Sequence, residues 1–491
     1  MRSVFLLFPL LLLIIPLMAS KKGEEEKEAV SIALEALTKA KKSSIMGLGL
    51  KGMAWGDCMR LYEESEERLR RVVGTGREGG CESSEDILTW ISGAMSGHGT
   101  CMEELKERNV SLGVLVDGEE DHVMVLLRRA LAMQATSRAA CSSIGSQQHQ
   151  INVLNNQTVD ETVKLEPWNP ESEKASMVVA QDGSSDFKSI SEAITAVCKW
   201  HDRGNTRAVI YIKSGVYSEY INIDHNMRNI MLVGDGIDKT VITGDHNVPG
   251  GYTTFRSATF SVSGDGFWAR DITFENTAGP EKHQAVALMV ASDKAVFHKC
   301  SFKGYQDTLY VHSQRQFFRD CDIYGTIDFI FGNAATIIQN CNIYVRKPMD
   351  HQTNMITAQG RDNQNQNTGI SVHGSRVLPA DDLKQVKAKF KSYLGRPWKE
   401  YSRTVFMKSD LDEIIDPEGW APWDGEFGIK TLFYGEYMNS GDGGGTEKRV
   451  KWPGFHVLGS DEEAEPFTVR GFVDQGEGWI SESGVPVWPG V

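Results

Sequence analysis

Positive charge is in short supply: 52 Lys and Arg stand against 66 Asp and Glu in 491 residues, a formal charge of −14. Affinity for nucleic acid comes mainly from cations clustered against phosphates, so DNA and RNA are excluded as partners. Cysteine is sparse too. The eight present (58, 81, 101, 141, 198, 300, 321 and 341) are too few for a fold stapled by disulfides. No His or Cys cluster has ligand spacing, so neither a metal nor a cofactor is expected. Long apolar runs are missing except for Val4 to Met18, whose 15 residues fall short of the about 20 that cross a bilayer. Arg2 precedes this run, and Ala19-Ser20 and the charged Lys21-Lys22-Gly23-Glu24 follow it. That order reads as a secretory signal peptide over 1–20, with a membrane anchor as the alternative. No later segment is long enough to span, so stable membrane insertion is not expected. Export brings an oxidising compartment in which cysteines can pair. Asn109-Val110-Ser111 and Asn156-Gln157-Thr158 are then glycosylation sequons.

What is present divides into two halves. From about Glu24 to Ile144 apolar residues recur at helical spacing, as in Trp55, Cys58, Leu61, Tyr62, Leu69 and Val72, and again in Val123, Leu126, Leu127, Ala130, Leu131 and Gln134. This predicts an all-α helical bundle over 21–145. A polar stretch with Pro167 and Pro170 forms a linker over 146–175. Residues 176–491 are rich in short β-like runs punctuated by Gly and Asn.

That second half repeats. Arg270-Asp271-Ile272-Thr273-Phe274, His298-Lys299-Cys300-Ser301-Phe302, Arg319-Asp320-Cys321-Asp322-Ile323 and Gln339-Asn340-Cys341-Asn342-Ile343 share one polar–polar–apolar–polar–apolar order. Their third positions are spaced by 28, 21 and 20 residues, the length of one turn of a parallel β-helix. Equivalent residues of successive turns lie about 4.8 Å apart, within disulfide reach. Cys300 and Cys321 are therefore either a bridge between coils or part of a ladder of buried thiols. Asp307 and Asp328 are separated by the same step of 21, and Gln284 and Gln306 by 22. If this register holds, two carboxylates and two amides share one face. Repulsion within the pair raises one pKa, which leaves an acid beside a nucleophile. The amides are placed to donate to a developing oxyanion. The bland alternative is Asp and Gln that only bond the turns.

The segments around these residues, Gly304-Tyr305-Gln306-Asp307-Thr308-Leu309-Tyr310, Gly325-Thr326-Ile327-Asp328-Phe329-Ile330-Phe331-Gly332-Asn333 and Leu394-Gly395-Arg396-Pro397-Trp398, resemble the signatures of plant pectin methylesterases. The likeness runs from Val178 to Pro486. It implies a right-handed parallel β-helix that hydrolyses the methyl esters of homogalacturonan. By the same resemblance Asp328 is the nucleophile and Asp307 the acid that protonates methanol and then activates water. Gln284 is the main oxyanion donor with Gln306 assisting, Arg396 holds Asp328 ionised, and Trp398 is a platform for the sugar, with Thr254 and Phe331 also binding substrate. Tyr220 and Tyr310 either line the cleft or pack in the stack. The helical half resembles the inhibitor-like pro-region of these enzymes, above all Ser83-Ser84-Glu85-Asp86-Ile87-Leu88-Thr89-Trp90-Ile91-Ser92 through Cys101, with Cys58 and Cys101 matching one of its disulfides. The family's earlier cysteine pair has no counterpart between Ser20 and Cys58, which implies that its hairpin is absent. The expected protein is a secreted, monomeric cell-wall enzyme whose partners are pectin and a proteinaceous inhibitor. A β-helical lyase or polygalacturonase, since paired carboxylates also serve glycosidases, and a silent inhibitor or wall-binding protein are the competing readings.

Overall fold

Two- to six-residue strands that cannot bury a face alone must stack, and in the second half of the chain they do. The computed structural model describes residues 24–25, 27–42, 52–74, 84–110, 121–145, 174–200 and 203–491. Contacts divide the chain into two units, Met1–Glu161 and Thr162–Val491.

The second unit is a right-handed parallel β-helix of three sheets with eleven, seven and eight strands. A complete coil contributes one strand to each sheet, and the next coil pairs with it in parallel, as Leu288–Val290, Leu309–Val311 and Ile330–Gly332 do. Thr273, Ser301, Asp322 and Asn342 fall in one register column, so the four repeats read from the sequence stand above one another. The core is the inside of the coil. Phe274 stacks on Phe302 at 5.8 Å and Phe297 on Phe318 at 4.8 Å, all fully buried. A helix, Ile190–Cys198, closes one end with a Ser189/Glu192 capping box.

The second position of each repeat has a backbone role. Asp271, Lys299, Asp320 and Asn340 all have φ between 51° and 59°, so one left-handed corner recurs in four coils. Asp and Asn tolerate this region better than other side chains, which accounts for three of the four polar residues there. The apolar third residue, next to the corner, is thereby turned inward.

Of the two alternatives for the cysteine column, the structure has the thiol ladder rather than the bridge. Cys300 and Cys321 are not bridged: both are buried free thiols, as is Cys341. Each sulfur instead donates to a carbonyl near its own corner, Cys300 to His298 O at 3.5 Å, Cys321 to Arg319 O at 3.3 Å and Cys341 to Gln339 O at 3.4 Å. With three equivalent thiols in a column, burial pushes the Cys321 thiol well up from its ordinary value, which removes the thiolate that oxidation requires.

The first unit is helical: residues 27–42, Gly52–Gly74, Ser84–Glu107 and His122–Gly145. The periodic residues Trp55, Cys58, Leu61, Tyr62, Leu69, Val123, Leu127, Ala130, Leu131 and Gln134 are buried, while Val72 and Leu126 are half-buried. The Cys58–Cys101 disulfide joins the second and third helices across a Cα separation of 4.8 Å. Beside it His98, fully buried, meets Tyr62 Oη at 2.7 Å and the Asp121 carboxylate at 2.9 Å. Ahead of the other three, the helix over 27–42 buries Ala29, Val30, Ala33, Ala36, Leu37 and Ala40, and fastens to Glu66 through Thr38 and Lys41. No helix among the described residues is long and apolar enough to cross a membrane. The signal segment 1–20, nearly all of the linker and Asn156 lie outside the described residues.

The thiol column generates a test. In native protein, Cys198, which is exposed, should react with a maleimide while Cys300, Cys321 and Cys341 react only after unfolding. Peptide mass spectrometry checks this, and a 300–321 disulfide in native protein would contradict it.

Candidate active site

The seven-stranded sheet presents the candidate residues, and two glycines set up the turns that precede them. A Cβ on Gly304 would stand 2.7 Å from Thr308 Oγ1, and one on Gly325 would stand 2.2 Å from Phe329 Cβ. Only glycine lets the chain fold this closely back on the strand it is entering. Three residues after each glycine comes an aspartate in the left-handed region, Asp307 at φ 64° and Asp328 at φ 52°. Asp307 N donates to Ile327 O at 3.0 Å, and Leu309 pairs with Ile330, so the two aspartates occupy equivalent places on adjacent coils. The same left-handed corner recurs at Asp271 and Asp320, so it is the burial and partners of these two carboxylates that set them apart.

Both carboxylates are nearly closed off, Asp307 at 7% exposure and Asp328 at 6%. Arg396 grips Asp328 with two hydrogen bonds, Nε to Oδ1 at 2.8 Å and Nη2 to Oδ2 at 2.6 Å. Burial pushes the Asp328 carboxyl up from its ordinary value, and Arg396 opposes the shift through these bonds and its charge. Pairing with Asp328 in turn holds the Arg396 guanidinium above its usual range, against the opposing effect of burial. The shift at Asp328 comes from desolvation, and the guanidinium is what favours the ionised form.

The amides are less regular. Ala285 N bonds Gln306 O at 3.3 Å, so the in-register partner of Gln306 is Ala285, and Gln284 lies one residue earlier. Both glutamines are half-buried, and among the described residues no protein group bonds either side-chain amide. Gln284 is held through its carbonyl, which accepts from Val248 N at 3.0 Å. Thr254, half-buried, opens the short turn Phe255–Ser257, and Ser257 Oγ fastens that turn to the Gln284 coil by accepting from Val286 N at 3.1 Å. Phe331 stacks on Tyr310 at 4.2 Å and lies 6.0 Å from Trp398. Phe331 is only 5% exposed and Tyr310 4%, so both support the floor more than they offer area. Trp398, half-buried, lies over Gly360, where a Cβ would be 2.8 Å from its ring. Tyr220 is exposed and stacks on His246 at 3.4 Å, with Tyr252 on the far side of His246 at 3.7 Å.

The pectinesterase family model matches residues 176–477, and the plant invertase/pectin methylesterase inhibitor model matches residues 19–137. The chain is 50% identical to a probable pectinesterase/pectinesterase inhibitor of Arabidopsis thaliana, over 94% of this chain and 91% of that protein. The chain belongs to the pectinesterase family. As a pectinesterase it is a carboxylic ester hydrolase, and the lyase, polygalacturonase and silent-protein readings fall away. It is also 46% identical to a pectinesterase of Citrus sinensis, over 95% of this chain and 88% of that one. Among solved structures it is similar to the pectin methylesterase from carrot, at 52% identity and a TM-score of 0.63, over 65% of this chain and 98% of that one. The pectin methylesterase from Erwinia chrysanthemi is similar at 27% identity and a TM-score of 0.52, over 65% of this chain and all of the other.

One residue of this pectinesterase site escaped sequence reading. Trp423 lies over the Arg396 guanidinium, 4.3 Å from its carbon to the ring centroid. It sits in an irregular loop outside the coil repeat, 27 residues from Arg396, where no periodicity points to it.

The ion pair fixes a sign. A carboxylate nucleophile works only when ionised, so activity must fall as pH drops through the Asp328 pKa. Arg396→Ala removes the group that lowers this pKa. The acid limb of kcat should therefore move to higher pH, with residual activity recovering as pH rises. A pH–rate profile checks it, and an unmoved limb would contradict the pairing.

Proposed function

We propose that this pectinesterase hydrolyses the methyl esters of homogalacturonan through a covalent intermediate on Asp328. The observation that carries the reading is the two-point contact of Arg396 with Asp328 beside Asp307 on the adjacent coil. A carboxylate oxygen of Asp328 attacks the ester carbonyl carbon, and charge gathers on the carbonyl oxygen. The amide N–H groups of Gln284 and Gln306, which no protein group among the described residues occupies, donate to that oxygen. As the tetrahedral species collapses, Asp307 gives its proton to the departing methoxide oxygen and methanol leaves. The galacturonoyl group is then held on Asp328 as an anhydride. Asp307, now ionised, takes a proton from water, whose oxygen attacks the acyl carbon. Cleavage frees the galacturonate and returns Asp328 as a carboxylate beside Arg396. Trp398 supplies the sugar platform, braced by Phe331, and Thr254 contributes at the rim.

The same reading assigns residues 21–145 as an inhibitor-like pro-region, 146–175 as its linker and 176–491 as the monomeric enzyme. The formed Cys58–Cys101 disulfide supports passage through an oxidising compartment and a place in the cell wall after loss of 1–20. Asn109, exposed at the end of its helix, is open to glycosylation. A proteinaceous inhibitor is a second partner alongside pectin.

Methanol release from esterified pectin tests the roles. Asp328→Ala removes the covalent route and should abolish turnover. Asp307→Ala keeps the nucleophile but loses its acid, and should fall by about 10²- to 10⁴-fold. Chain length should stay constant in wild type. A folded Asp328→Ala protein with near wild-type methanol release would refute the assignment.

A further inference from the structure

The Arg396 guanidinium is planar, with an edge that donates and two faces that do not. Asp328 takes the edge, through Nε and Nη2. The Trp423 indole takes one face, at 4.3 Å. Nothing in the acid–base chemistry calls for a tryptophan there. Its loop is nonetheless tied to the strand end that carries Arg396: Gly395 bridges Trp420, and Ala421 N donates to Gly395 O at 3.0 Å. Trp420 is buried and stacks on Tyr434 at 4.1 Å, so the loop leaves a fixed point three residues before Trp423. Trp423 itself keeps 37% of its surface exposed, against 25% for the Arg396 side chain. The ring thus occupies a guanidinium face that water would otherwise hydrate.

We propose that Trp423 is a positioning residue for the esterase reaction. Lying over Arg396, it fixes the guanidinium plane edge-on to Asp328 and keeps water from the ion pair. This rests on Asp328 being the nucleophile. A long arginine side chain loses rotamer freedom when it holds a two-point contact, and an aromatic face that attracts the cation offsets part of that loss. The attraction strengthens as water is removed. The ionisable groups that act on the guanidinium are Asp328, Asp307 and Tyr434. Burial drives the Tyr434 hydroxyl far above its ordinary value, so it stays neutral, which leaves the two aspartates as the guanidinium's anionic neighbours.

The test compares Trp423→Ala and Trp423→Phe with wild type, each also in an Arg396→Ala background, with kcat and KM for methanol release followed across pH. Trp423→Ala should lower kcat about tenfold, a moderate cation–π contribution. It should leave KM nearly unchanged and move the acid limb to higher pH. Trp423→Phe, which restores an aromatic face with little demand on folding, should recover most of both. Without Arg396, removing Trp423 should cost nothing further, since the two act as one unit. If Trp423→Ala raises KM while kcat and the acid limb stay put, or if its loss persists in full without Arg396, the positioning role is wrong. Asp328→Ala, measured alongside, separates the two readings. An inactive Asp328→Ala with an unaltered Trp423→Ala sinks only the role of Trp423, whereas an active Asp328→Ala sinks the nucleophile beneath it.

Discussion

The Arg396–Asp328 ion pair is the interaction on which the site depends. A carboxylate on a residue only 6% exposed would ordinarily take up a proton and cease to be a nucleophile. Two guanidinium nitrogens at 2.6 and 2.8 Å satisfy both of its oxygens and favour the charged form. Burial and pairing are both needed. Burial strips water from the attacking oxygen, and pairing prevents its neutralisation. Exposed, the same pair would contribute little.

Coil geometry supplies the rest. Parallel stacking places equivalent residues one strand spacing apart, so an aspartate repeated after one turn arrives beside its predecessor without any special loop. The left-handed corners at Asp307 and Asp328 turn both residues out of the strand direction at the same point. Gly304 and Gly325 make those corners possible by yielding to Thr308 and Phe329. Fold and site therefore share one repeat. The phenylalanine stacks inside the coil and the aspartates at its edge follow from the same period.

That shared period explains what the sequence could disclose. The column at 272, 300, 321 and 341 and the step from Asp307 to Asp328 are both spacings, and parallel pairing converts spacing directly into proximity. The fate of Cys300 and Cys321 was not legible, because one register serves a bridge and a thiol ladder equally well and local carbonyls decide between them. The offset of Gln284 is the difference between its 22-residue step to Gln306 and the 21-residue step of the strands on these coils. The helix over 27–42 falls inside the bundle that the helical spacing predicts, its run of Ala, Val and Leu burying a face against Glu66 and its neighbours. Trp423 had no signal at all, since it reaches Arg396 from an irregular loop. The role of Arg396 came from the resemblance of Leu394-Gly395-Arg396-Pro397-Trp398, and its contact with Asp328 spans 68 residues that no local pattern connects.

The central claim is that Asp328 carries the acyl group, and one pre-steady-state experiment addresses it most directly. Asp307→Ala would be mixed with an oligogalacturonate bearing a nitrophenyl ester, whose alcohol leaves without a proton donor. Acylation is then fast, while deacylation lacks the base that activates water. The account predicts a burst of one nitrophenol per enzyme molecule, with the added mass on the peptide containing Asp328. Nitrophenol release that is linear from the first turnover, with no mass added to that peptide, would contradict it.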